Sequence, residues 1–228
     1  MVQPTSVHHV AVMATDMKKH IDFFTQVMGC PLVALFDMHG VPGALHGFMK
    51  LNDSCYFSVV QMPAVADAPI EIGRTHAGSG SGACAAGTMQ HLAFNVDKVE
   101  DLVRMRDQIR SHGINVIGPF DHGFCQSIYF AGPDRLTLEV STTVGSIDPR
   151  AWIDPKSLET VGISAEELER YKAPKGYSGP SPVPQPAYDP EKPHQDFPLK
   201  SYLKMLELPD EVLNARSSFA EPPVKIAS

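Results

Sequence analysis

The chain is short of the features that mark several large classes of protein. Its four cysteines (Cys30, Cys55, Cys84 and Cys125) are scattered and form no CxxC pair, so neither a disulfide framework nor a zinc ribbon is expected. Positive charge is scarce: 19 Lys and Arg against 26 Asp and Glu leave a formal net charge of -7. With no basic cluster either, nucleic acid is not an expected partner. No apolar run approaches the roughly 18 residues that a bilayer span needs. The first residues also lack the basic-then-apolar order of a secretory signal. The expectation is a cytoplasmic protein with reduced thiols, outside the membrane. Residues 78–82 are rich in glycine but lack the preceding strand and the Lys of a phosphate loop, so nucleotide binding is not expected.

What remains is an ordinary globular composition, 43% hydrophobic and 20% charged over 228 residues, enough to bury a sizeable core. Its order repeats. Residues 7–13 read as a strand, and Asp16 can cap a helix whose Met17, Ile21, Phe24 and Met28 recur at helical spacing, with Gly29 to stop it. Strands follow at 30–36, 45–51 and 56–61, the last two joined through Asn52-Asp53 and ended by Pro63. The second round runs from a strand at 90–96 to a helix opened by Asp97 and ended by Gly113. Three strands close it, at 114–117, 124–130 and 136–140, the last pair joined by Gly132-Pro133-Asp134. Each half is therefore a βαβββ unit, 6–63 and 89–143, and 64–88 reads as a flexible linker or flap.

Beyond residue 143 the composition shifts. Most of the 20 prolines lie there, including Pro180, Pro182, Pro184 and Pro186. Short helices are expected at 155–161, at 165–171 with Ser164 and Glu167 as a capping box, and at 199–206. Residues 144–228 thus read as a Pro-rich, partly helical arm suited to wrapping a surface as lid, strap or packing. The expected fold class is α+β: two βαβββ modules forming a curved mixed sheet around a metal site, plus this arm.

His9, His91 and Glu139 each sit in a short apolar strand, and the two histidine strands open the two similar units. Two imidazoles and one carboxylate can hold one face of a divalent metal and leave positions open for substrate and O₂. His39, His46 and His76 fall in loop or hairpin contexts, where surface or pocket-lining roles are expected.

Paired βαβββ modules with His on the first strand of each and Glu on the last strand of the second resemble the vicinal oxygen chelate superfamily. That superfamily includes glyoxalase I, methylmalonyl-CoA epimerase, bleomycin- and fosfomycin-resistance proteins and the type I extradiol catechol dioxygenases. The run Tyr129-Phe130-Ala131-Gly132-Pro133-Asp134-Arg135-Leu136-Thr137-Leu138-Glu139 looks like its closing hairpin. The resemblance implies His9, His91 and Glu139 as ligands, His9 over His8 because His9-Val10-Ala11-Val12 aligns with His91-Leu92-Ala93-Phe94. It implies a fourth ligand, Glu or Gln, at the end of the first module in the glyoxalase and epimerase types. Here 55–61 holds no acidic residue, and Gln61 is the one residue that keeps the epimerase type open.

The order His122, Ile128-Tyr129, Pro133, Glu139 is similar to the extradiol signature, from which Gly132, Arg135 and Phe120 depart. The implied protein is an extradiol-type ring-cleaving dioxygenase, an iron oxidoreductase of aromatic compound catabolism acting on a catechol-like substrate with O₂. Fe(II) is its expected metal, with Mn(II), Ni(II), Co(II) and Zn(II) as alternatives. His122 is the expected acid–base residue, since histidine takes and gives protons near neutral pH, and Tyr129 the expected hydrogen-bond donor. The alternative is a lyase or epimerase using the metal as a Lewis acid. A homo-oligomer is expected, with the modules paired in cis or in trans.

Overall fold

A computed structural model describes residues 2–225. Each half of the repeat makes its own four-stranded mixed sheet, an α+β arrangement. The first half contributes β1 (His9–Met13), α1 (Met17–Asp22), β2 (Leu32–Asp37), β3 (Leu45–Asn52) and β4 (Cys55–Gln61), in sheet order β1-β4-β3-β2. The second contributes β5 (Leu92–Asn95), α2 (Val99–Ser111), β6 (Val116–Asp121), β7 (Cys125–Ala131) and β8 (Thr137–Thr143), in the matching order β5-β8-β7-β6. In both, the first strand runs parallel to the last and the remaining pairs are antiparallel.

Local chemistry accounts for most boundaries. Asp16 accepts a hydrogen bond from Lys19 N and caps α1 as expected. That helix does not run regularly to Gly29: a single π turn, Phe23–Val27, follows it before Gly29 takes φ 75°. A wide turn of this kind re-aims side chains; Phe24 is fully buried here and Phe23 faces Phe130. Asp97 does not cap the second helix. Lys98 occupies that place without a side-chain bond, and Glu100 and Asp101 in the first turn offset the helix dipole instead. β6 runs further than 114–117 because an irregularity between Ile117 and Phe120 lets the pairing resume. At its centre Gly118 has φ 100°, and a Cβ there would lie 2.6 Å from the Ser127 carbonyl oxygen.

Strand alternation decides which face of each sheet is dry. Phe57 and Val59 of β4, Phe94 of β5, Leu138 and Val140 of β8, and Ile128 of β7 all join one hydrophobic core with Phe24, Leu102 and Ile109. The Phe24 and Phe57 rings lie 3.9 Å apart by centroid, and Phe94 stands 5.8 Å from Phe57. The two halves thus bury their helix-bearing faces against each other, and their other faces are left open. Polar ties cross the same junction. Gln108 Nε2 donates to the Val27 carbonyl at 2.7 Å. Asp134, held at φ 49° in the turn before β8, accepts from both Thr15 N and Thr15 Oγ1 at 2.7 Å.

Three helices of the arm, α3 (Pro149–Trp152), α4 (Pro155–Val161) and α5 (Ala165–Lys172), belong to the same compact unit, which extends to Ala173. Trp152 meets Phe124 edge-on at 4.9 Å and covers Gly123. The expected capping box at Ser164 and Glu167 is present. From Pro174 a second unit holds α6 (Leu199–Leu206) and α7 (Asp210–Ser217), the latter not expected. Within it Tyr188, Phe197 and Tyr202 make an aromatic cluster. No helix among the described residues is long and apolar enough to cross a membrane.

The Asp134 clamp yields a direct test. Asp134→Gly takes positive φ without strain and removes both acceptor oxygens, so both bonds to Thr15 are lost. It should lower stability by about 1–3 kcal/mol in urea unfolding with an unchanged m-value.

Candidate functional site

The open face of the second sheet gathers four of the five residues expected to act. β8 carries Glu139, which pairs in register with Tyr129 of β7 and Ala93 of β5. His91, expected inside a strand, lies one residue ahead of β5. Its Nε2 stands 2.9 Å from Glu139 Oε2, and its Nδ1 meets the Gln90 side-chain oxygen. Tyr129 lies edge-on to His91 at 6.3 Å, and its hydroxyl is 3.1 Å from His122 Nε2. His122 follows β6 in the turn closed by its own N–H to the Cys125 carbonyl.

Glu139 is buried and its charge is prepared by neighbours that pattern reading did not reveal. Ser141 Oγ donates to Glu139 Oε1 at 2.5 Å, and Ser127 Oγ lies 2.8 Å from Ser141 Oγ. Burial pushes the carboxyl up. The Ser127 and Ser141 hydroxyls, His91 and Tyr129 outweigh it, and the group titrates below its usual 4.5. The same burial, with the Glu139 charge second, raises the Tyr129 hydroxyl, which stays protonated at neutral pH. An ionised carboxylate beside an imidazole offers two donors of metal-binding type, and a protonated phenol next to them offers a hydrogen bond.

His9 is not with them. It opens β1 on the open face of the first sheet, where its ring packs 5.8 Å from Phe48 and its Nδ1 lies 2.9 Å from His8 Nδ1. The shared core separates that face from the second sheet's. Among the described residues no three His, Cys, Asp or Glu side chains are grouped closely enough to hold a metal ion.

Register also identifies the first-module counterpart of Glu139. Two residues past His91, Ala93 pairs with Glu139; two past His9, Ala11 pairs with Ser58. Gln61 is on the opposite, helix-side face, where its Oε1 accepts from Met17 N at 2.5 Å. It is a helix anchor, and the position that could have supplied a fourth ligand holds a serine. Ser58 is fully buried and bonds His46 Nε2 at 2.6 Å. Burial, with neighbouring His9 second, lowers the His46 pKa. His46 is thus part of the first open face; its period-two relation to Phe48 and Lys50 was the available signal. All four cysteines are free, and burial pushes the Cys30 thiol up to about 11.

The 64–88 segment is tied down over the second sheet. Gln90 Nε2 donates to the Ser79 and Gly82 carbonyls. Gly80 comes so near the Tyr129 ring that a Cβ would lie 3.0 Å from it. His76, in this segment, is half-buried and bonds Thr75 Oγ1.

Known proteins share this plan. The model of the Glyoxalase/Bleomycin resistance protein/Dioxygenase superfamily matches residues 6–140. The chain belongs to this family. A curated relative, named "Putative ring-cleaving dioxygenase MhqO", from Bacillus subtilis (strain 168), is 30% identical over 83 residues, 36% of this chain. The match spans a quarter (25%) of that relative's length. Among solved structures, a glyoxylase/bleomycin resistance protein/dioxygenase domain from Frankia sp. EAN1pec is 13% identical, with a TM-score of 0.48 over 62% of this chain and 99% of its own. The fosfomycin resistance protein FosX of Listeria monocytogenes, solved with Mn(II) and sulfate, is 16% identical, with a TM-score of 0.43 over 65% and 99%.

The carboxylate makes the pH dependence of this family member predictable in sign. A folded pKa below the ordinary value contributes stability that is full above that value and is lost as pH falls through the folded one. Ser141→Ala removes a donor to the ionised form, so the Glu139 carboxyl should titrate at higher pH. NMR titration of the side-chain carboxyl should show that rise, and the acid-side loss of stability should shrink.

Proposed function

We propose that this chain is a metal-dependent extradiol-type ring-cleaving dioxygenase acting on a catechol-like diol with O₂, Fe(II) being its preferred metal. One observation carries the reading: His91, Glu139, Tyr129 and His122 meet on one open sheet face, a ligand-type pair beside a phenol–imidazole pair. The ring-cleaving name of the Bacillus subtilis relative supports it over the 83 matched residues.

The residues fit a metal in their chemistry. Ser127 and Ser141 keep Glu139 ionised, and His91 presents Nε2 to the same point. The third donor is His9, and because the core separates the two open faces of one chain, we assign it to a second copy: the first-module face of one subunit closes over the second-module face of another. This makes the protein a homo-oligomer by necessity of its site.

A divalent metal held by His91, Glu139 and His9 of a second copy would supply Lewis-acid and redox chemistry at this face. The chain's own residues do the rest. Tyr129, protonated at neutral pH, donates its hydroxyl hydrogen to an oxygen of the bound diol. His122, in hydrogen-bond contact with that hydroxyl, takes up the proton released as the diol binds and returns it to the product through Tyr129 Oη. The tethered 71–82 segment packs against the Tyr129 ring through Gly80. With Gln61 committed to Met17, the four-ligand epimerase arrangement loses its candidate donor.

Elemental analysis after anaerobic loading with Fe(II) tests the ligand set. His9→Ala and His91→Ala should each lose the metal while remaining folded. Co-expressed with two tags, the mixed dimers should recover about half the wild-type metal, since one of the two sites in each regains both histidines. No recovery from two metal-free single variants would place both histidines in one chain's site and overturn the assignment to a second copy, and metal retained by His9→Ala would place His9 outside the site. Tyr129→Phe should keep its metal and lose roughly 10²-fold in ring-fission rate, read as chromophore formation and O₂ uptake on catechols. Metal binding with no O₂ uptake on any catechol would favour the lyase instead.

A further inference from the structure

A cavity of about 490 Å³ opens along the same sheet face, between the tethered segment and the β7–β8 hairpin. Its walls are largely apolar, with Ile72, Ile117, Phe130 and Leu136, and Tyr129 forms its boundary toward Glu139. Among the described residues that line it, Arg135 is the only one with a formal charge. No carboxylate among the described residues lies within ion-pair distance of Arg135.

Backbone conformation adds a second, independent observation. Arg135 has φ 60° and directly follows Asp134 at φ 49°. Asp tolerates this region through its short polar side chain, but Arg does not, and holding it there costs about 1 kcal/mol or more. The Asp134 bonds to Thr15 fix the turn, and the turn sets a long, solvent-exposed cation at the lining of an apolar chamber. A guanidinium with no internal partner presents a planar fork of donors suited to a carboxylate. The chamber's volume falls in the range of small-molecule sites and exceeds what one bare ring would fill.

We propose that this cavity binds the far end of an aromatic carboxylate, with Arg135 as the residue that selects for the acid group. Resting on the dioxygenase reading, the substrate class becomes a catechol bearing a carboxylate, its diol beside His91 and Glu139 and its acid at Arg135. Neutral catechols of the same size lack the group that Arg135 would pair with.

Calorimetric titration of metal-free protein isolates this step from turnover, using benzoate and benzyl alcohol as probes that carry no diol. Benzoate should bind at least about tenfold more tightly than benzyl alcohol. Arg135→Gln should remove that preference and leave benzyl alcohol binding unchanged, while Arg135→Lys retains part of it. Both variants keep an L side chain at the same φ, and unaltered melting curves confirm that they fold. Equal binding of the two probes, no benzoate binding, or an undiminished preference in Arg135→Gln would overturn the proposal. O₂ uptake with 3,4-dihydroxybenzoate on the iron-loaded protein reports on the dioxygenase reading separately, since the acid preference can hold in a protein that cleaves no ring.

Discussion

The contact of Phe24 with Phe57 and Phe94 is the constraint from which the rest of the architecture follows. Three aromatic rings from both halves meet where the helix-bearing faces come together, and strand alternation then leaves no choice about the opposite faces. Burying Val59, Leu138 and Val140 on one side directs His9, Ser58, Glu139 and Tyr129 to the other. The hydrophobic term is large here because each ring removes substantial apolar area from water. A one-residue slip in β8 would place Glu139 in the core unpaired, at a cost no neighbouring contact could offset. Packing and site geometry are therefore one problem in this chain.

Much of this was readable from the chain because both the repeat and the alternation are local signals. The two βαβββ units, Gly29 and Gly113 as helix stops and the Asp16 cap follow from period and turn chemistry, whereas the pairing of Tyr129 and His122 with His91 and Glu139 came from the family resemblance. What escaped depends on partners distant in sequence. Gln61 reads as a spare ligand until Met17 N, 44 residues away, is found to occupy its oxygen. Asp97 reads as a cap, but the helix begins two residues later with Glu100 and Asp101 meeting the dipole. The π turn at Phe23–Val27 answers to tertiary packing of two aromatic rings, which no single-helix periodicity encodes. Ser127 and Ser141 matter only because β7 and β8 align them beside the carboxylate.

The β7–β8 turn and the 71–82 segment join the fold to its chemistry. Asp134 uses its carboxylate to hold the second half to Thr15 of the first, while the next residue carries the free cation of the cavity. Opposite, Gly80 lets backbone approach Tyr129 where any Cβ would crowd the ring. The phenol is thereby fixed from both sides, by the segment above and by His122 at its hydroxyl. A proton relay needs its donor and acceptor held at hydrogen-bond distance. Side-chain hydrogen bonds to Ser127 and Glu139 add to that positioning.

The duplicated unit ends in two faces that are no longer alike. At the register position where the second half has Glu139, the first has Ser58, engaged with His46; where the second has Tyr129, the first has Phe48. In the proposed two-copy site, a carboxylate on both faces would bring two anions together, and like charges at short distance oppose each other's ionisation. Serine removes that repulsion, and burial together with His9 lowers the pKa of His46, which disfavours its charged form. One face is left with imidazoles and an aromatic wall, the other with the ionised carboxylate and the phenol–imidazole pair. In the proposed homo-oligomer, a single two-fold operation would join these unlike faces, each completing what the other lacks.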